Sequence, residues 1–186
     1  KALKEHKYAE GKSLLEKILL VNPKIFEVNF NLGMINLQSG NFDASIQYFQ
    51  NAKKINPKIS RVYFNLALAF EKKNEKNLAL INYEKAIELD PNNSLVFYNL
   101  GSLYKDTFDT TKAEKYLKKS LDLKSNFIKA YNNLFDLYDR SNQIDKYSQL
   151  LKKAQKMLSE KNLISFYSGI HEYKKKEYQS AIKILE

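Results

Sequence analysis

The three prolines of this 186-residue chain, Pro23, Pro57 and Pro91, stand 34 and 34 residues apart. A fixed period of that length restricts the fold more than any other feature. A unit so short cannot close a core alone and must bury its faces against its neighbours. Other columns keep the same clock. Leu32, Leu66, Leu100 and Leu134 repeat without a break, while Gly33, Ala67 and Gly101 are followed by Gly169 after one miss. Ser45, Ala79 and Ala113, then Ala181 after one miss, form a second small-residue column, and Ala52, Ala86, Ser120 and Ala154 form a third. The register divides one array into a partial repeat at 1–25, full repeats at 26–59, 60–93, 94–127 and 128–161, and a partial repeat at 162–186, with no insertion or deletion.

Each unit holds two runs with helical spacing. In 26–59 the first is Phe26, Phe30, Leu32, Gly33 and Leu37, and the second is Phe42, Ile46, Phe49, Ala52 and Ile55. Gly40-Asn41 between them is a turn signal, and Pro57 ends the second run because proline cannot continue a helix interior. Ser60 and Ser94 stand where the next first helices begin, and are expected to cap their free N–H groups. The small columns mark where two antiparallel helices cross most closely. Phe135 and Tyr147 break those columns in the unit 128–161, which predicts a widened helix pair there and a changed superhelix pitch. The proline column lapses in the same region, at Ser125 and Ser159.

The run Asn31-Leu32-Gly33, then Gly40-Asn41-Phe42-Asp43, Tyr48-Phe49, Ala52 and Pro57 resembles a tetratricopeptide repeat (TPR). Residues 60–93 match again through Tyr63, Asn65, Leu66, Ala67, Phe70, Ala79, Tyr83, Ala86 and Pro91. The resemblance covers the whole chain. It implies an all-α fold, an α-solenoid built as a right-handed superhelix of antiparallel helix pairs, about eleven helices here.

The resemblance also implies that the first helix of each repeat lines a concave groove. The groove columns follow from the register. One reads Asn31, Asn65, Asn99 and Asn133; its neighbour reads Phe30, Phe64, Tyr98, Asn132 and Phe166. A third reads Glu27, Arg61, Leu95, Lys129 and Leu163, and a fourth Met34, Leu68, Ser102, Asp136 and Ile170. A side-chain amide both donates and accepts, so a row of them can pair with successive backbone groups of an extended peptide without reading its sequence. Aromatics beside them supply apolar area at low entropic cost. The expected peptide-binding groove is therefore Phe30, Asn31, Arg61, Phe64, Asn65, Tyr98, Asn99, Lys129, Asn132 and Asn133. Superhelical relatives fused to O-linked N-acetylglucosamine transferases hold peptide backbones on such ladders. The other role open to the ladder is packing between repeats. The carboxylate clamp of Hsp70/Hsp90 co-chaperones needs a lysine that Phe30 with Met34, Phe64 with Leu68 and Tyr98 with Ser102 do not supply.

Composition narrows the function classes. Lys plus Arg is 31 against 21 Asp plus Glu, a net charge of +10, yet only Arg61 and Arg140 are arginines. No repeat carries more than +3. A diffuse lysine coat lacks the focused, forked donors that nucleic acid selects, so no nucleic-acid partner is expected. No apolar run reaches the roughly 18 residues of a membrane span, so no membrane insertion is expected. There is no cysteine, which fits a reducing compartment such as the cytoplasm. His6 and His171 lie in separate repeats without a ligand partner and read as helix-surface residues. Asp136 and Asp139 share a helix face amid lysines and read as solvated ion pairs. No phosphate loop or nucleophile elbow exists, so no catalytic residue, metal or cofactor is expected. The chain reads as an interaction scaffold that takes an extended peptide or helix of a protein partner, with self-association open to its uncapped ends. The alternative reading is the N-terminal recognition arm of a larger glycosyltransferase or sulfotransferase, an arrangement met in bacterial proteins.

Overall fold

A computed structural model describes residues 2–175 together with Lys183 and Ile184. Ten helices run through the described residues, and the polypeptide divides into two compact units at Asn92/Asn93. The first unit holds α1 (Ala2–Val21), α2 (Phe26–Gln38), α3 (Phe42–Ile55), α4 (Ser60–Lys72) and α5 (Lys76–Leu89). The second holds α6 (Ser94–Asp106), α7 (Thr110–Leu123), α8 (Ile128–Arg140), α9 (Ile144–Met157) and α10 (Lys161–Lys174). The first helices α2, α4, α6 and α8 begin 34 residues apart, as the columns require. The expected eleventh helix falls largely outside the described residues.

The helix–turn–helix corner is the same in every full repeat. Gly40, Asn74, Phe108 and Asn142, one column, all take the left-handed conformation with φ between 52° and 78°. The next residue's N–H reaches back to the first helix: Asn41 to Asn36 O (2.8 Å), Glu75 to Phe70 O (2.9 Å), Asp109 to Tyr104 O (3.0 Å) and Gln143 to Tyr138 O (2.9 Å). This closes the orphan carbonyls of the helix C-terminus. Glycine and asparagine enter that conformation cheaply, whereas Phe108, which is exposed, bears a steric cost there.

The unbroken leucine column is the centre of the core, with Leu32, Leu66, Leu100 and Leu134 all fully buried. The small columns do what steric reasoning assigns them. A Cβ placed on Gly33 would stand 2.6 Å from the Phe49 ring, and one on Gly101 would stand 2.8 Å from Leu117 Cγ and 3.0 Å from its backbone nitrogen. In the pair α8–α9 the Phe135 ring occupies this place instead. It lies 4.8 Å from the Tyr147 ring and stacks at 4.0 Å on Tyr167 of α10. The α8 and α9 backbones accordingly make far fewer close approaches than those of α6 and α7, which is the widening expected from Phe135 and Tyr147.

One tie recurs under the proline column. Asn29 Nδ2 donates to Pro23 O (3.0 Å), Tyr63 Oη to Pro57 O (2.9 Å) and Tyr131 Oη to Ser125 O (3.0 Å). The acceptor is a carbonyl, which serine has as well as proline, so the lapse at Ser125 leaves the tie intact.

Ser60 and Ser94 do not cap their helices. Each is the first helical residue, one position too late for the role. The N-caps are Ile59, which offers no side-chain acceptor, and Asn93, which accepts from the Leu95 N–H. The Ser60 hydroxyl instead donates to Ala86 O at the end of α5 (2.8 Å). In the next repeat the same two columns are tied with the roles exchanged, Ser120 Oγ donating to Ser94 O (2.8 Å).

Candidate peptide-binding face

In the first unit the predicted site residues converge on one face of α2 and α4. Phe26 and Phe30, four residues apart, stack with ring centroids 6.0 Å apart and planes 14° apart. The Arg61 guanidinium of α4 lies over both rings, 4.6 Å from the centre of Phe30 and 5.5 Å from that of Phe26. An arginine laid on an aromatic keeps its in-plane donors pointing outward, since the ring takes only its face. Phe64, half-buried beside them, meets the Tyr83 ring at 6.1 Å. Asn31 is exposed. Asn65 is buried, and its amide donates to the Arg61 carbonyl one turn back on the same helix (2.7 Å).

The second unit carries a different chemistry on the same columns. Tyr98 packs on Phe127 at 5.0 Å, Asn99 is half-buried and Lys129 exposed. Asn132 accepts from Tyr167 Oη (3.0 Å). Asn133 Oδ1 accepts from Lys105 Nζ (2.9 Å), and its buried Nδ2 has no hydrogen-bond partner. Lys105 also bonds Asp136 (2.8 Å), whose other oxygen takes Arg140 Nε (2.7 Å). Lysine 105 had no sequence signal, because its column reads Leu37, Glu71, Lys105 and Asp139. The ladder is thus heterogeneous: exposed at Asn31, tied to its own helix at Asn65, and part of a charged network at Asn133.

His171 is not the surface residue expected. It is 6% exposed, stacked 5.8 Å from the Tyr147 ring, with Ser148 Oγ on Nε2 and Glu172 on Nδ1 (3.1 Å). The His6 side chain lies outside the described residues. Asp139, read as part of a solvated ion pair, pairs with Lys174 of α10 (2.6 Å).

Burial pushes the Asp136 carboxyl up, but the hydrogen bonds and charges of Lys105 and Arg140 outweigh it and hold the group below its ordinary range. Glu114 behaves alike, with Lys118, Lys146 and Tyr138 overcoming burial. A depressed folded value stabilises the fold above the unfolded carboxylate range, about pH 4, and that stabilisation is lost as pH falls through the folded values. The urea midpoint is therefore expected to drop between pH 5 and pH 2.5, and to drop less in Asp136→Asn. An equal drop in both proteins would show that the Lys105 network adds nothing.

The geometry and the periodicity agree with comparisons to known proteins. Models described as tetratricopeptide repeat match residues 2–58, 60–93 and 82–115, more than half the chain between them. The chain belongs to the tetratricopeptide repeat family. Solved TPR structures share its fold: one reported in a functional characterisation of Pseudomonas aeruginosa pilF has a TM-score of 0.78 and 17% identity over 98% of this chain and 83% of that one. MamA gives 0.77 at 22% identity, over 83% and 90% of the two chains. YrrB, described as a TPR protein with an unusual peptide-binding site, gives 0.72 at 15% identity over 91% and 88%. A sequence comparison with curated proteins finds no match. Among the described residues, no helix is long and apolar enough to cross a membrane.

Proposed function

We propose that this TPR chain is a protein-interaction scaffold that takes an extended peptide or a helix of its partner on the face of its first helices. The observation that carries the reading is the Phe26–Phe30–Arg61 shelf. It offers apolar area at ring faces, and beside it guanidinium N–H donors suited to a carbonyl or carboxylate. Asn31 and Asn99 extend polar contact along the face within their respective units. The description of YrrB as a peptide-binding TPR protein supports the same class of ligand.

The test uses peptides selected from a random 12-residue pool on the wild-type chain. Asn31→Ala with Asn99→Ala is expected to weaken every selected peptide about tenfold, whatever its sequence, with a stability loss of at most about 1 kcal/mol, since Asn31 is exposed and Asn99 half-buried. If stability falls while all affinities stay unchanged, the asparagines serve packing only. Arg61→Ala should weaken the peptides with acidic residues most.

A further inference from the structure

A second surface differs from the groove face in both place and chemistry. Between α3 and α5, floored by α4, lies an open cleft of about 730 Å³ lined by Lys53, Tyr63, Leu66, Phe70, Leu78 and Ile81. On α4 the residues Tyr63, Leu66 and Phe70 are spaced i, i+3, i+7, and at 3.6 residues per turn they lie on the opposite side of the helix from Arg61, Phe64 and Leu68. Leu78 and Ile81 of α5 are 42% and 61% exposed. The repeat itself supplies the control. Where α5 has Leu78, the other full repeats have Ala44, Lys112 and Lys146; where it has Ile81, they have Gln47, Lys115 and Gln149. Polar or small residues satisfy these surface positions everywhere else, so folding does not require Leu78 and Ile81. In the second unit the matching cleft measures only about 220 Å³ and is crossed by in-chain ion pairs, Lys146 to Glu114 (2.7 Å) and Lys153 to Asp122 (3.7 Å).

We infer that the α3–α5 cleft is a docking site for an amphipathic helix of a partner protein, with an apolar ridge seated on Leu78, Ile81 and Tyr63 and carboxylates on its flank. The groove between two helices has the form that accepts a helix. Of the charged residues lining the cleft, Lys85 and Glu88 neutralise each other as an ion pair (2.7 Å), and Glu84 is the one further carboxylate. Lys53, its ammonium 5.9 Å over the Tyr63 ring, makes no ion pair among the described residues and is the cation left for an acidic flank. The chain's net charge of +10 also draws an acidic partner in solution.

The test measures binding to the full 186-residue chain by fluorescence anisotropy. The probes are two synthetic 18-residue helices with the same leucine ridge, one flanked by Glu and one by Lys. The Glu helix is expected to bind at least tenfold tighter than the Lys helix. The variant Leu78→Lys with Ile81→Gln places in the cleft the residues its sister repeat carries, so it keeps the fold. It should lose at least tenfold in affinity at an unchanged thermal midpoint. Lys53→Glu should reverse the preference between the helices. Equal binding of both probes, no binding up to millimolar concentration, or binding that the double variant leaves intact would each overturn the proposal. So would a dimer in sedimentation that the same variant dissolves, which would assign the cleft to a second copy of the chain. The asparagine variants of the groove face should leave helix binding unchanged, which separates this site from the peptide-binding face.

Discussion

Phe135→Ala is expected to cost about 3–5 kcal/mol of folding stability, the range found when a buried phenylalanine is truncated. The ring is 1% exposed and touches Tyr131, Tyr147 and Tyr167, three aromatics that no shorter side chain in its place could reach. Alanine is nonetheless what the same first-helix crossing column carries two repeats earlier, at Ala67. The measurement is therefore diagnostic. A loss near the full range, read as a shift in urea midpoint, means that α8 and α9 are held apart by the whole aromatic cluster and a cavity stays open. A loss under about 1 kcal/mol would mean that the two helices close on each other as α2 does on α3, and that one ring alone sets the spacing.

The mirror experiment fills a crossing instead of emptying it. Gly101→Val should destabilise by about 3 kcal/mol, at the upper end of ordinary overpacking. A Cβ there meets both the Leu117 side chain and the α7 backbone, and Leu117 is fully buried with nowhere to move. Adding Leu117→Ala should recover part of the loss, since the side-chain collision is relieved while the approach to the backbone nitrogen remains. Strict additivity of the two changes would show that Gly101 and Leu117 do not share the strain, contrary to the close contact.

The repeat register, the ten described helices and the leucine core were legible because each rests on many residues that agree across columns. The turn was legible too: Gly40-Asn41 announces it, and the same left-handed corner then recurs at Asn74, Phe108 and Asn142. Features decided by one position or by a pair were not. Ser60 and Ser94 look like caps in a string, but a shift of one residue puts them inside the helix, where they serve another bond. His171 has no neighbour in sequence to reveal that Tyr147 and Ser148, on another helix, enclose it. The Asn column shows the same gap between type and role. Four identical residues at one spacing meet different surroundings: Asn65 turns onto a backbone carbonyl of its own helix, which any residue at position 61 offers, whereas Asn133 meets Lys105, which comes from a column that varies freely.

The serine that joins the two helices of a repeat carries a lesson for anyone building new arrays from this one. In 60–93 the hydroxyl sits on the first helix, and in 94–127 it sits on the second, yet each joint is closed by a single bond of 2.8 Å. Design by consensus averages every column separately. Applied here it returns serine on the first helix and alanine on the second, which keeps the joint of 60–93 and discards that of 94–127. The heritable unit at this joint is the pair, and a library that recombines these repeats should draw both positions together.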